Sequence, residues 1–328
     1  MEYTNLGRTA LRVSRLCLGT MNFGPNTTEI DSHAIMNRAL DLDLNFFDTA
    51  NVYGRKRGEG VTENIIGNWL AQDGTRRDRI VLATKVYGHM GDGPNDNGLS
   101  ARHIIAACEG SLRRLRTDYI DLYQMHHIDR SAPWEEVWQA MDLLVAQGKV
   151  RYIGSSNFAG WHIASAQEAA NRRHGLGLVS EQCVYNLMKR HVELEVLPAA
   201  ESYGVGIIPW SPLAGGALSG ALAKIEAGTA ARSASEHTRA TVDSHRDQLV
   251  SWEQFCRDRG DEPANVALAW LLAQPAVTGP IIGPRTVEQL EATVDCLDIQ
   301  LDETALRELD EMFPPVGAGG PGPEAWAW

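Results

Sequence analysis

The chain has 328 residues, 44% of them hydrophobic and 22% charged, an ordinary globular composition that allows one large domain or two smaller ones. Its 30 basic and 42 acidic residues leave a formal net charge of −12, which argues against a nucleic-acid partner or an anionic membrane surface, because both are met by clustered positive charge. No run approaches the ~18 apolar residues of a membrane span. The start, Met1-Glu-Tyr-Thr-Asn-Leu-Gly7, lacks the basic and apolar regions of a secretion signal. Cys17, Cys108, Cys183, Cys256 and Cys296 are scattered without metal-type spacing, so free thiols in a reducing cytoplasm and no bound metal are expected.

In chain order, residues 1–13 place Leu6-Gly-Arg-Thr between two short extended stretches, which predicts an N-terminal hairpin closing the bottom of the fold. Eight short apolar runs follow, at 16–18, 45–47, 80–84, 120–124, 152–154, 178–181, 206–208 and 280–282. Most lack period-two alternation, as expected of parallel strands covered on both faces. Amphipathic helical patterns lie between them. Ile65, Ile66, Trp69 and Leu70 form one stripe, and Ile104, Cys108, Leu112 and Leu115 another after a cap at Ser100. Trp134, Val137, Met141 and Leu144 form a third, with Pro133 early and Gly148 just past its end.

This alternation predicts an α/β fold, a (β/α)8 TIM barrel built as one domain over residues 1–328. The rival, an open doubly wound sheet, usually carries a glycine-rich phosphate loop after its first strand. Gly19-Thr-Met-Asn-Phe-Gly24 does not have that spacing. Residues 213 to about 245 are rich in Ala, Gly, Ser and Thr and read as a long loop or lid after the seventh strand. The Gly/Pro-rich residues 314–328 read as an irregular tail over the barrel mouth.

Functional groups of a parallel barrel gather at the C-terminal ends of its strands. Asp48 follows the second run, Lys85 the third and His126 the fourth, and Tyr53 follows Asp48 by five residues. Singly, Asp48 reads as a strand-end cap and Tyr53 as a half-buried loop aromatic. Lys85 is odder, because lysine seldom ends a buried strand without a partner. Together they form a proton-transfer set. A lysine cation beside a phenol favours the phenolate and is expected to lower the tyrosine pKa from ~10. Asp48 would hold Lys85 charged, His126 would orient a substrate oxygen, and Tyr53 would act as general acid. His127 reads either as a second pocket residue or as a local polar contact.

These residues lie in motifs that run in order along nearly the whole chain: Gly19-Thr-Met, Phe47-Asp-Thr-Ala-Asn-Val-Tyr-Gly, Ala83-Thr-Lys, Asp121-Leu-Tyr-Gln-Met-His, Gly154-Ser-Ser-Asn, Glu181-Gln, Trp210-Ser-Pro-Leu and Gly283-Pro-Arg-Thr. In this the chain resembles the aldo-keto reductase superfamily. The resemblance implies a TIM-type barrel and an NAD(P)H-dependent carbonyl reductase, with Asp48, Tyr53, Lys85 and His126 as catalytic tetrad. It implies that Ser156, Asn157 and Gln182 bind the nicotinamide carboxamide and that Trp210 stacks on its ring. Ser211, Pro212, Leu213, Gly215 and Leu218 would follow the pyrophosphate, Gly283, Arg285 and Gln289 the adenosine end, and Gly19, Thr20, Met21 and Asp48 would also meet cofactor.

Two departures stand out. Ala292-Thr293 replaces a frequent Glu-Asn, and Ala221 stands where some relatives carry lysine. Arg285 can still pair with a 2′-phosphate, so NADPH is expected, with NADH possible. The substrate rim is expected to include Met21, Tyr53, Tyr87, His126, His127 and Trp328, around a small-molecule carbonyl substrate. An alternative is a nucleotide-linked deoxysugar ketone or 2,3-enone reductase of natural-product biosynthesis. An alternative of another class is a nicotinamide-binding regulatory subunit of a membrane channel. Oligomeric state is left open.

Overall fold

A computed structural model of the chain describes residues 1–54, 58–227 and 236–317. Strands β1 (Tyr3–Asn5) and β2 (Arg12–Ser14) pair antiparallel as the expected hairpin. The eight expected barrel strands are β3 (Cys17–Gly19), β4 (Phe46–Asp48), β5 (Val81–Val86), β6 (Ile120–Met125), β7 (Val150–Ser156), β8 (Leu178–Gln182), β9 (Gly206–Ile207) and β10 (Ile281–Ile282). They pair parallel in sequence order, and β10 returns to β3. Between the last two strands Ile207 bridges Val277, and the Ile281 amide donates to Pro209 O at 2.8 Å. The sheet therefore closes as the (β/α)8 barrel read from the sequence. Boundaries moved slightly: β5 runs on through Lys85 to Val86, so that lysine lies within a strand rather than just past it.

The barrel interior is packed by one apolar layer from the strands, including Cys17, Phe46, Ala83, Leu122 and Val179, with Leu6 and Val13 of the hairpin below. The hairpin is thus the floor of the barrel, and any opening must lie at the other end. Gly7 makes this seal possible. Its φ is +53°, and a Cβ there would lie 2.4 Å from Val179 O and 2.6 Å from Gly204 O. Gly7→Ala is therefore expected to cost at least about 2 kcal/mol of stability through strain and overpacking, measured by chemical denaturation. Wild-type stability in that variant would show that the floor yields.

The helices take the faces that their stripes dictate. In Ala101–Leu115 the Ser100 hydroxyl accepts the His103 amide at 3.2 Å, while Ile104, Cys108, Leu112 and Leu115 are buried. Val61–Gln72 buries Ile65, Ile66, Trp69 and Leu70. The long excursion after β9 carries short helices of its own. Its described parts hold the helices Ala221–Glu226 and Glu236–Ser244, and Leu218, Leu222 and Val242 are buried in the main core. Enough apolar residues punctuate its small ones to pack these described parts against the helix Arg246–Arg259. Residues 228–235 and the tail 318–328, with Trp328, lie outside the described residues. All five cysteines are free and buried. Among the described residues no helix is long and apolar enough to cross a membrane.

Candidate active site

At the C-terminal ends of the barrel strands lies a cleft of about 1120 Å³. Its chemistry starts from a buried cation. Lys85 is fully buried and points inward from β5. Its Nζ donates to Asp48 Oδ2 at 2.6 Å, to Thr49 O at 2.8 Å and to the Tyr53 hydroxyl at 3.1 Å. Three acceptors match the three ammonium hydrogens. Asp48 is held in turn from its other oxygen: Oδ1 accepts Gln124 Nε2 at 3.0 Å and Gln182 Nε2 at 2.8 Å. The carboxylate is thus fixed from three strands, and it aims the lysine at Tyr53.

Burial alone would lower the Lys85 pKa, but the charge of Asp48 and contact with Tyr53 raise it above 10.5 on balance. The lysine is a permanent cation at neutral pH. Tyr53 departs from the sequence expectation. Burial raises its pKa above 10.0, and the opposing pull of Lys85 does not overcome that. The phenol is half-buried at the cleft wall, where the surrounding protein displaces part of the water that would solvate a phenolate. It is therefore a firmly protonated donor, not a half-ionised one. The His126 ring stands 5.9 Å from Tyr53, edge to face. Burial, then the charges of Lys85 and His127, lower its pKa to about 2, so it is a neutral imidazole at all working pH. His127 stacks on His126 at 5.1 Å, and Tyr87 meets His127 edge-on at 5.3 Å. The ambiguity over His127 resolves in favour of the cleft, which it lines with Met21, Tyr53 and His126.

Along the same wall, Ser156, Asn157, Gln182 and Trp210 line the cleft. Asn157 adopts a left-handed φ of 60°, a conformation asparagine tolerates better than most residues. Its amide donates to His126 O at 3.1 Å and to Ser156 Oγ at 3.0 Å, and its Oδ1 accepts Trp210 Nε1 at 3.1 Å. The Trp210 indole is 37% exposed, a flat face toward open space. Ser211, Pro212, Leu213 and Gly215 continue the lining, as do Gly283, Arg285 and Gln289 opposite. Gln289 Oε1 accepts the Arg285 amide at 2.8 Å. Gly19, Thr20 and Met21 line the near side, and Thr20 Oγ1 donates to Asp48 O at 2.9 Å.

Three expected residues do not themselves line the cleft. Lys85 sits behind Asp48 and Tyr53, Tyr87 reaches the site through His127, and the Leu218 side chain is fully buried in the core, away from the cleft. Several residues of the site escaped the sequence reading. Gln124, which holds Asp48 from behind the cleft wall, was legible in principle as a polar residue two before His126 near the end of its strand. Lys224, Glu262 and Asn265 also line the far end. Lys224 sits one helical turn beyond Ala221 and brings a cation to that end.

The aldo/keto reductase family model matches residues 15–313. YrpG of Bacillus subtilis strain 168, named an uncharacterized oxidoreductase, is 55% identical over 332 residues, covering 100% of both chains. A probable voltage-gated potassium channel subunit beta of Oryza sativa subsp. japonica is 36% identical over 306 residues, or 91% of this chain and 92% of that one. A versiconal hemiacetal acetate reductase of Aspergillus parasiticus is 33% identical over 347 residues, covering 96% and 98%.

Proposed function

Because the chain belongs to the aldo/keto reductase family, and is an oxidoreductase on that footing, we propose that it is an NADPH-dependent reductase of aldehydes or ketones with Tyr53 as proton donor. The observation that carries this reading is the buried Lys85, held between Asp48 and the Tyr53 hydroxyl at the wall of the cleft.

The cleft residues fit a nicotinamide dinucleotide. Neutral amide and hydroxyl groups at Ser156 and Asn157 suit a carboxamide, and the open indole face of Trp210 suits a flat ring. Gly215 and Gly216, both at positive φ, let backbone approach a pyrophosphate closely. Lys224 and Arg285 at the far end suit the extra phosphate of NADPH. Bound there, the reduced cofactor supplies the hydride. The chain's own residues handle the oxygen. Neutral His126 lies beside Tyr53 and can hydrogen-bond a carbonyl oxygen without adding charge. Tyr53 gives that oxygen its proton as negative charge develops, so C=O becomes CH–OH. Lys85 holds the phenol in place and stabilises the phenolate left behind. Bulk water then returns the proton.

The first test is consumption of NADPH with a panel of aldehydes and ketones. Binding of NADPH without turnover of any of them would favour the second reading, a regulatory subunit, for which the likeness to a channel beta subunit speaks. A second test concerns the phosphate. Arg285→Ala is expected to weaken NADPH binding by about tenfold or more, the worth of a charge-assisted hydrogen bond, with NADH nearly unaffected. Equal losses for both cofactors would remove Arg285 from phosphate recognition.

A further inference from the structure

Strands β7 and β8 pair Ile153 with Leu178, but the next pairs are Gly154 with Ser180, Ser155 with Glu181 and Ser156 with Gln182. Val179 is thus an extra residue, a bulge. Its side chain belongs to the inner layer. Simple alternation from there would turn Glu181 inward and Gln182 outward. The bulge reverses this, as bulges beside functional sites do. Gln182 reaches Asp48, and Glu181 turns its back to the cleft, fully buried.

What Glu181 meets there is the underside of the Asn157 turn. Its Oε1 accepts the Phe158 amide at 3.0 Å, and its Oε2 accepts the Ser155 hydroxyl. The next amide, that of Ala159, donates to His162 Nδ1 at 3.1 Å. The Phe158 ring is packed 5.9 Å from His162 and 6.0 Å from Trp134. A left-handed non-glycine residue needs surroundings that over-determine it. Asn157 has them: two buried side chains grip the two amides that follow it. A carboxyl in this place is costly, and burial pushes its pKa up to about 8. Packing alone would be served better by an apolar side chain.

We propose that Glu181 is a positioning residue of the cofactor site: its buried carboxyl locks the Asn157–Phe158 turn from behind and so sets the direction of the Asn157 amide and of the Trp210 indole bonded to it. Glu181 touches neither cofactor nor substrate. This rests on the nicotinamide reading given above.

The experiment compares wild type, Glu181→Gln and Glu181→Leu, each shown to be folded by its circular dichroism. Binding of NADP+ and of its acetylpyridine analogue, which lacks the carboxamide amino group, is followed by quenching of protein fluorescence. Glu181→Leu leaves the Phe158 amide without an acceptor and is expected to weaken NADP+ about tenfold, and the analogue far less. Glu181→Gln, which keeps an acceptor for Phe158, restores most of the NADP+ affinity. Equal losses for the two ligands, or no loss, overturn the proposal. If Glu181→Leu does not fold, Ser155→Ala loosens the same carboxyl, and its loss must again fall mainly on NADP+. Wild type that binds neither ligand would instead overturn the cofactor reading.

Discussion

Tyr53→Phe is expected to lower carbonyl reduction by about a thousandfold, within the range of a lost general acid, while NADP+ affinity stays near wild type. Phenylalanine keeps the ring and its edge contact with His126 and removes only the hydroxyl that Lys85 contacts at 3.1 Å. The pH profile adds a second check. Burial holds the phenol above its ordinary 10.0 despite the lysine, and His126, at about 2, does not titrate near neutrality. The rate of reduction is therefore expected to be flat across the neutral range and to fall only in strong alkali, as the phenol ionises. A limb near the ordinary histidine value of ~6.5 would show that His126 or His127 acts as the acid. Retained turnover in the phenylalanine variant would remove Tyr53 from that role.

The second large effect falls on stability and activity together. In Lys85→Met the apolar stem is kept, but the Asp48 carboxylate, 2% exposed, keeps only the amides of Gln124 and Gln182. Removing one partner of a buried pair costs about 3–5 kcal/mol, so a clear fall in midpoint is expected by denaturation. Activity should fall with it, since the phenolate loses its counter-charge. The pH dependence has a definite sign. The folded pKa of Lys85 is raised above 10.5 on balance, with burial opposing and Asp48 prevailing. Its contribution is therefore fully present below ~10.5, the unfolded value, and is lost as pH rises through the folded value. The difference between wild type and Lys85→Met should shrink in that alkaline window. Adding Asp48→Asn removes the orphaned charge and should recover part of the stability but none of the turnover. Wild-type stability in Lys85→Met alone would mean that the carboxylate is cared for without the lysine.

The parts of the site that were legible share a feature. Asp48 and Lys85 are polar side chains in apolar strand segments, where a polar group needs a reason. Tyr53 and His126 follow them at distances that a strand end fixes. Gly7 and the hairpin were legible as local turn chemistry. The misreadings share another feature: each depended on a balance or an offset invisible along the chain. The Tyr53 pKa had two opposed contributions, and a sequence names the lysine but not the depth of burial. Leu218 lies in a stretch rich in small residues, yet packs into the core, where Trp252 of the helix Arg246–Arg259 donates to its carbonyl at 3.3 Å. Lys224 comes to the far end of the cleft because the short helix Ala221–Glu226 carries it there.

By itself the sequence determined the barrel, its floor, the family and the residues that meet at the mouth. Those follow from hydrophobic period, turn residues and strand-end position, all local properties. Only the tertiary structure decided which way the residues of β8 face. One extra residue, Val179, sends Gln182 in to Asp48 and Glu181 out to the Asn157 turn. A strand's side chains alternate with period two, so a single-residue offset exchanges its two faces, and that offset is set by pairing with β7 rather than by β8 itself.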